Sequence, residues 1–371
     1  MIPRRIPGFS MGSCQRKEPR RSTATTPSVA SGRAFGAILC ALTSAAVLLT
    51  SCAPSGSGSG QETGAAAQEI PAWERSMEDV RAEVELIRAG RDLTPDSWPG
   101  GARVAVALSF DFDAETNALR DGEDSPGAHS RGEYAARVAV PRILALLEKH
   151  DIPASFFVPA VTALLHPEEI EAIMAPGVHE IGMHGWIHER NSLLPEETER
   201  ELMRRSYETL TDIMGKPPVG IRTPSWDFSL ATVKLARELG LLYDSSLMAD
   251  DRPYEVNENG EPTGLVELPV EWLLDDYPYF GFSRFSSVRP HIKPRDVMEI
   301  WAAEFEMALE EGTMFLLTMH PKYIGHRSRI AMLEELIRFM KGHGGVWFAT
   351  HEEIARYVAN AGQLATPGPG R

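Results

Sequence analysis

Short apolar runs recur along the chain from residue 104 onward, and stretches with the period of an amphipathic helix lie between several of them. The apolar runs predict buried strands at VAVALSF (104–110), ASFFV (154–158), VHEIGM (178–183), VGIR (219–222), LVELPV (265–270), MFLLTM (314–319) and GVWFA (345–349). The amphipathic stretches predict helices over Glu133–His150, Pro195–Met214, Ser229–Leu239, Arg295–Glu311 and Ser328–Gly342. Strands that alternate with helices favour a parallel sheet. About seven such units in ~260 residues predict an α/β fold, a distorted or incomplete (β/α) barrel.

The chain before this pattern resembles an export signal. A basic stretch ends at Arg33, an apolar run follows over residues 34–50, and Leu49-Thr50-Ser51-Cys52 resembles the lipobox of bacterial lipoproteins. On that resemblance, Cys52 carries a lipid, and the protein is exported and anchored to the extracytoplasmic side of the membrane. An uncleaved N-terminal anchor is the alternative, because 17 apolar residues are at the short end of what spans a bilayer.

Together these patterns predict five segments. A lipoprotein signal peptide is followed by a flexible tether of small and polar residues. A short helical lead-in comes next, with a helix from about Pro71 to Ala89, and the barrel and a disordered tail complete the chain. The predicted bounds are 1–51, 52–70, 71–100, 101–360 and 361–371.

Charge is distributed unevenly along the chain. Residues 1–33 carry seven Lys or Arg and one Glu, whereas residues 34–371 carry 30 basic and 51 acidic residues, a net charge of −21. Such an acidic surface repels phosphate backbones, which argues against nucleic acid as a partner. Cys14, Cys40 and Cys52 all precede the barrel, so no disulfide can staple it. Whether the chain forms a homo-oligomer is left open.

Polar residues fall where the predicted strands end, which is where functional groups gather in parallel α/β folds. Asp111 and Asp113 close the first strand, and the strand period of two places both carboxylates on one side. His184 and His188 follow the third strand, and on a helical turn their spacing puts both imidazoles on one face. Two histidines and one carboxylate form a metal site with positions left open. The alternatives are loop caps for the aspartates and satisfied core positions for the histidines.

Four motifs occur in the order that is typical of one family. They are Ser109-Phe-Asp-Phe-Asp113, His184-Gly-Trp-Ile-His188, Arg222-Thr-Pro-Ser-Trp226 and Leu317-Thr-Met-His320. Over about residues 103–360 the chain resembles the polysaccharide deacetylases of the NodB-homology class, carbohydrate esterase family four. The resemblance implies a NodB-homology barrel that hydrolyses carbon–nitrogen amide bonds with one divalent metal. Zinc is the default ion, and cobalt, nickel, manganese and iron suit the same donors.

The resemblance also assigns roles to six side chains. The implied metal ligands are Asp113, His184 and His188. Asp111 is the implied catalytic base, Arg222 keeps that carboxylate ionised and oriented, and His320 is the acid that protonates the leaving amine. A structural salt bridge is the alternative for Arg222, and a loop cap at the end of a strand is the alternative for His320.

The chain departs from the commonest pattern of the family in two places. The first motif reads Asp-Phe-Asp where the best-known members have adjacent aspartates, and Glu267-Leu-Pro-Val-Glu-Trp272 stands where they carry an aspartate motif. The partner that tunes His320 is therefore open, with Glu267 and Asp275 as candidates. The departures resemble a subgroup that contains peptidoglycan-deacetylase-like proteins and enzymes that open cyclic amides or imides such as allantoin. Further subgroup signals are Arg131-Gly-Glu-Tyr134, Asp275-Asp-Tyr-Pro-Tyr-Phe280 and His320-Pro-Lys-Tyr-Ile-Gly-His-Arg327.

Three aromatic residues in or near these motifs are candidate substrate contacts, with core or rim packing as the alternative. They are Tyr134, Trp226 and Tyr277. The leading functional hypothesis is N-deacetylation of an amino sugar in peptidoglycan or another envelope polysaccharide, because the implied chemistry and location agree. A hydrolase of small cyclic amides or imides is the second hypothesis, and a non-catalytic glycan-binding lipoprotein is the third.

Overall fold

The computed structural model describes residues 71–282 and 292–364. The signal peptide, the tether, the lipidated Cys52 and most of the tail fall outside the described residues, so those assignments stay predictions. Within the described ranges, no helix combines the length and the apolar character needed to cross a bilayer.

Ten strands form one sheet. They are β1 (Ile87–Asp92), β2 (Val104–Asp111), β3 (Ser155–Val158), β4 (Glu180–Met183), β5 (Gly220–Ile221), β6 (Tyr243–Asp244), β7 (Tyr254–Glu258), β8 (Glu261–Glu267), β9 (Met314–Met319) and β10 (Val346–Phe348). Their order is β1-β7-β8-β6-β5-β4-β3-β2-β10, and β9 also pairs with β2. The pairs that involve β7 are antiparallel, whereas the pairs among β2, β3, β4, β5, β6, β8, β9 and β10 are parallel.

The parallel strands form a ring that closes irregularly. β9 lies beside β2, and the segment after β8 reaches β9 through a parallel bridge between Asp275 and Thr318. The ring therefore runs β9-β2-β3-β4-β5-β6-β8 and is completed by a loop segment instead of a full strand. This arrangement confirms the predicted α/β fold with a distorted barrel of about seven units.

Thirteen α-helices are present in the described residues. They are α1 (Met77–Val84), α2 (Thr116–Arg120), α3 (Pro126–Tyr134), α4 (Val140–His150), α5 (Ala160–Leu165), α6 (Pro167–Met174), α7 (Glu196–Met214), α8 (Thr232–Glu238), α9 (Tyr277–Phe280), α10 (Pro294–Glu311), α11 (Pro321–Ile324), α12 (Arg327–Gly342) and α13 (His351–Ala361). One turn of π-helix, Ala135–Ala139, joins α3 to α4, so the helix predicted from Glu133 to His150 begins earlier and changes its hydrogen bonding midway.

Two predicted segments differ from the structure. The lead-in is helical over a turn of 3-10 helix, Ala72–Glu74, and over α1, which Ser76 caps, and β1 then follows where the helix was predicted to continue to Ala89. Gly90 explains the change, because a Cβ there would lie 2.3 Å from the side-chain oxygen of Asn257 in β7. The predicted tail starts too early, since α13 reaches Ala361 and its capping bonds extend to Leu364.

The alternation of β2 determines which side chains reach the interior of the barrel. Val104, Val106, Leu108 and Phe110 belong to the apolar cluster formed with the surrounding helices. Ala105 and Ala107 belong to a second cluster, together with side chains of α13. Ser109 and Asp111 continue this second face, because side chains in a strand alternate with period two. The strand thus delivers a carboxylate to the inner end of the barrel.

Candidate metal and catalytic site

A cleft of about 860 Å³ opens at the carboxyl ends of the parallel strands. Asp111 is the last residue of β2, and Asp113 follows two residues later. His184 directly follows β4, Arg222 directly follows β5, and His320 directly follows β9. The topology therefore brings together the side chains that the sequence analysis singled out from separate stretches, as expected for the functional face of such a fold.

The three predicted metal ligands converge at the floor of this cleft. Asp113 Oδ1 lies 3.4 Å from His184 Nε2 and 3.6 Å from His188 Nε2. One donor atom from each residue lies within 4.8 Å of the other two, which is a spacing that one cation can bridge. All three side chains are buried.

Two of the three donor atoms lack a hydrogen-bond partner. Asp113 Oδ1 and His184 Nε2 are both buried without one. His184 Nδ1 donates to the backbone oxygen of Arg222 at 2.7 Å, which fixes the tautomer that leaves Nε2 free to bind a metal. A buried polar atom without a partner is costly, and a cation between these atoms would remove that cost. The residues therefore fit a divalent metal.

His188 is held differently from His184. Burial is the main cause that lowers the pKa of His188 well below its usual value, so the ring is neutral as a ligand must be. Its Nδ1 lies 2.9 Å from Nη1 of Arg120, which can only donate, so in the neutral ring Nδ1 accepts and Nε2 carries the hydrogen. Binding of a metal through Nε2 requires the other tautomer, and this contact must then change.

The histidine motif is a loop and not the helical turn that the spacing suggested. His188 adopts a left-handed conformation with φ of 63°, and Gly185 has φ of 74°. A side chain at Gly185 would approach Pro224 to 2.7 Å. The carboxylate of Glu189 accepts hydrogen bonds from the backbone of Trp186 and Ile187 and so braces the loop. The motif spacing is right, but a strained turn brings the imidazoles together.

Lys322 is a buried cation beside the metal site that the sequence analysis did not identify. Its Nζ donates to Asp113 Oδ2 at 2.8 Å and also to the side chain of Asn117. Burial by itself would raise the pKa of Asp113, but Lys322, together with His188 and His184, outweighs burial and holds that pKa well below its usual value. The carboxylate is therefore ionised and oriented with Oδ1 towards the histidines. Lys322 lies two residues after His320 in the sequence, a spacing that by itself does not indicate a role.

Arg222 holds Asp111 in place from inside the barrel. Its Nη1 donates to Asp111 Oδ1 at 2.8 Å, and the other oxygen of Asp111 lies 3.8 Å from His184 Nε2. Arg222 also donates to the hydroxyls of Ser109 and Ser245. Each of these groups is buried, so the pair is shielded from solvent. These hydrogen bonds therefore fix the orientation of the Asp111 carboxylate.

The last helix also contacts Arg222. His351, the first residue of α13, accepts a hydrogen bond from Arg222 Nη2 through its Nε2 at 3.1 Å. Burial, followed by the charge of Arg222, lowers the pKa of His351 well below its usual value, so this ring is neutral. Its Nδ1 lies 3.0 Å from the hydroxyl of Ser155, which in turn donates to Glu180.

His320 is partnered by an aspartate that the sequence analysis did not propose. Its Nδ1 lies 2.8 Å from Asp276 Oδ1 and 3.5 Å from Asp275 Oδ1. Burial opposes the charge of His320, but Asp275 and Asp276 outweigh it and raise the pKa of His320 to about 10. His320 is therefore protonated at neutral pH. Of the two candidates named from the sequence, Asp275 contributes charge but is not the hydrogen-bonded partner.

Glu267, the other candidate, faces elsewhere. It pairs with Asp244 across β6 and β8, and its Oε1 accepts from the backbone of Ser246 and Leu247 at 2.9 Å each. Burial raises the pKa of Asp244 to about 6, and burial and the charge of Asp244 raise the pKa of Glu267 well above its usual value. Both raised pKa values favour the protonated carboxyl groups, and Glu267 is not the partner of His320.

The three candidate substrate contacts all line the cleft. Trp226 packs on Trp272 with ring centroids 4.1 Å apart. Tyr277 is half exposed, and its ring lies 6.3 Å from that of His320. Tyr134 stacks on His326 with ring centroids 4.2 Å apart.

Comparisons with known proteins indicate the family of the chain. The model of the polysaccharide deacetylase family matches residues 123–243. The peptidoglycan deacetylase of Helicobacter pylori is 33% identical over 279 residues, which cover 68% of this chain and 95% of that protein. A Mycobacterium smegmatis protein assigned as a polysaccharide deacetylase superposes with a TM-score of 0.69 at 39% identity, over 76% of this chain and 99% of that one.

A third relative has a different named activity. The crystal structure of the allantoinase PuuE superposes with a TM-score of 0.63 at 30% identity, over 76% of this chain and 100% of that one. The polysaccharide deacetylase family is nevertheless the one that matches by family model, by curated relative and by fold. This chain therefore belongs to the polysaccharide deacetylase family, whose hydrolases act on carbon–nitrogen amide bonds.

Proposed function

We propose that the protein removes the acetyl group from an N-acetylated amino sugar of peptidoglycan or another envelope polysaccharide, with the help of one divalent metal. Water and the N-acetyl group would be converted to acetate and a free amine. The observation that carries this proposal is the convergence of Asp113, His184 and His188 beside a separately paired Asp111 and a protonated His320.

Asp113, His184 and His188 would hold the metal. When bound there, a divalent cation supplies Lewis acidity towards the acyl oxygen and makes water a stronger acid. Zinc is the default because the donor set is two imidazoles and one carboxylate. The two donor atoms without hydrogen-bond partners support this assignment independently of the family.

Asp111 would act as the general base that takes the proton of the attacking water. Its hydrogen bond from Arg222 orients the carboxylate, and its second oxygen is directed towards the metal ligands. Arg222 would act only through Asp111, since its remaining donors are taken by neighbouring groups inside the barrel.

His320 would donate a proton to the leaving nitrogen. An amine expelled from a tetrahedral centre leaves more readily once it is protonated, and the raised pKa of His320 keeps this proton available at neutral pH. Asp276 orients the ring so that Nε2 is free for the substrate. Tyr134, Trp226 and Tyr277 would contact the substrate along the cleft.

The location proposed for this activity is the outer side of the membrane, with Cys52 as the site of lipid attachment. A tethered enzyme would meet envelope glycans there. A second candidate function, ring opening of a cyclic amide or imide, is favoured by the similarity to PuuE allantoinase. A non-catalytic glycan-binding role is the least supported, because binding alone does not require a base, its orienting arginine and an acid together.

The decisive experiment compares products. The metal-loaded protein is incubated with peptidoglycan fragments, with chitin oligomers and with allantoin, and acetate release is measured beside ring opening. We expect acetate from the glycans. Asp111→Asn serves as the control, since it should keep the metal and lose the activity. Ring opening without acetate release would favour the second candidate function. If neither product forms, the result would favour the glycan-binding role.

A further inference from the structure

Three arginines near the cleft surround one histidine, and none of these arginines has a carboxylate partner. Arg131 comes from α3, Arg142 from α4 and Arg329 from α12, and we call them the arginine cluster. Within the described residues, none of the three has a carboxylate oxygen within 4.0 Å of its guanidinium. The undescribed stretch 283–291 contains no Asp or Glu. The cluster is thus an excess of positive charge in a chain whose net charge is −15.

The hydrogen-bond partners of the arginine cluster are uncharged, although the charge of Asp276 acts on Arg329 from beyond ion-pair distance. Arg142 donates to the hydroxyl of Tyr134 at 3.0 Å, and Arg329 donates to the backbone oxygen of Tyr323 at 2.8 Å. Arg131 donates to the backbone oxygen of Phe282 at 3.0 Å. Such contacts orient the guanidinium groups without placing a carboxylate directly against any of them.

The positive charges of the arginine cluster also act on His326. It stacks on Tyr134 at the centre of the cluster. Burial lowers the pKa of His326 most, and the charges of Arg329, Arg142 and Arg131 lower it further. The histidine therefore stays neutral and adds no fourth charge. Like charges held together without a direct ion pair are costly, so the arrangement is suited to an anion that arrives with a ligand.

Two other arginines of the site have a carboxylate partner, whereas Arg190, which also lines the cleft, has none within 4.0 Å in the described residues. Arg222 is bonded to Asp111 at 2.8 Å, and Arg120 pairs with Asp121 at 2.9 Å. The chain thus supplies carboxylates to arginines with an internal role. The absence of one from all three members of the cluster, within the described ranges, distinguishes the cluster from these structural pairs.

The position of the cluster relates it to one half of the substrate. Arg131 Nη2 lies 3.4 Å from the hydroxyl of Tyr323, and the ring of Tyr323 lies 5.6 Å from that of His320. Tyr323 therefore separates the cluster from the proposed acid. His320 would face the leaving nitrogen, so the cluster lies on the side of the amine fragment and not with the small acyl group.

We propose that the arginine cluster binds a carboxylate on the amine half of the substrate. This inference rests on the proposed function and narrows its substrate class to N-acylated amino sugars that bear an acidic substituent. The lactyl ether of the muramic acid residues in peptidoglycan has that chemistry. Guanidinium groups recognise a carboxylate through paired hydrogen bonds, which gives both charge and geometry.

The test uses two peptidoglycan fragments that differ only in the lactyl group, which is a carboxylate in one and an uncharged amide in the other. For the metal-loaded wild-type protein we expect kcat/KM for acetate release to be at least about tenfold higher on the carboxylate form. Arg131→Gln and Arg329→Gln should each lower this ratio several-fold. Arg131→Lys should restore part of it, because charge is kept and the paired geometry is lost.

Arg137→Gln is the matched control. Arg137 lies between α3 and α4, is largely exposed and pairs with Glu133 at 3.6 Å, so its loss should leave the ratio unchanged. Melting temperatures of all variants would establish that they are folded. Equal rates of the wild type on both fragments, or an unchanged ratio in both glutamine variants, would overturn the inference.

Failure of the proposed function has a different signature. In that case neither fragment yields acetate with the metal-loaded wild type. Calorimetric titration of the same two fragments then tests the cluster without turnover. Tighter binding of the carboxylate form that is lost in Arg131→Gln would support the arginine cluster, whereas equal binding would overturn it.

Discussion

Replacing Asp276 by Asn should move the alkaline limb of the pH–rate profile to lower pH. His320 must be protonated to act as the acid, so activity is present below its pKa and is lost as the pH rises through that value. The carboxylates of Asp275 and Asp276 raise the pKa of His320 to about 10 despite its burial. Removing one of them must lower that pKa.

The size of the shift follows from the contact that is lost. The bond between His320 Nδ1 and Asp276 Oδ1 is 2.8 Å long and involves a charged ring. A hydrogen bond to a charged group contributes about 1.5–3 kcal/mol. One pKa unit corresponds to about 1.4 kcal/mol, so the limb should move by about one to two pH units.

The assay is kcat/KM for acetate release between pH 6 and the limit of stability of the protein. Asp121→Asn is the control, because Asp121 also lines the cleft but pairs with Arg120 instead of His320. Its alkaline limb should stay in place. If Asp276→Asn lowers the rate equally at every pH and leaves the limb where it was, Asp276 only orients the ring and the electrostatic argument is wrong.

Three further predictions concern metal binding and stability. Zinc at 100 times its Kd should raise the free energy of unfolding by about 2.7 kcal/mol in denaturant titrations, and His184→Ala should abolish this gain. Because burial raises the pKa values of Asp244 and Glu267, the folded state loses stability as the pH rises through about 6. Glu267→Gln should therefore flatten the fall in melting temperature between pH 5 and 8, and an equal fall in both proteins would contradict the raised pKa values. Gly220→Ala should cost about 1–3 kcal/mol of stability, because its Cβ would lie 2.0 Å from the ring of Tyr243, and an unchanged denaturation midpoint would show that the ring moves freely.

The sequence predicted most of the barrel because buried strands and amphipathic helices leave strong periodic signals. The strands that it missed lack such a signal. β6 has two residues, and β1 and β7 carry polar residues and pair at the antiparallel edge of the sheet. Their place depends on pairing between distant segments, which a local pattern does not encode.

The sequence predicted the residues of the candidate site that belong to the four motifs. Asp113, His184 and His188 meet as the motifs implied, although through a strained loop and not a helical turn. Lys322 and Asp276 could not be assigned from local pattern, because a lysine or an aspartate beside a motif has no distinctive spacing. Their roles depend on burial and on the packing of loops from different strands.

Arg222 connects the start of the barrel with its last helix, because it contacts both Asp111 at the end of β2 and His351 at the start of α13. Within the described residues, α13 contributes no side chain to the wall of the cleft, yet its first residue contacts the guanidinium that orients Asp111, the proposed base. Under the proposed mechanism, removal of the C-terminal helix is therefore expected to lower activity through Asp111, although the helix lies outside the wall of the cleft.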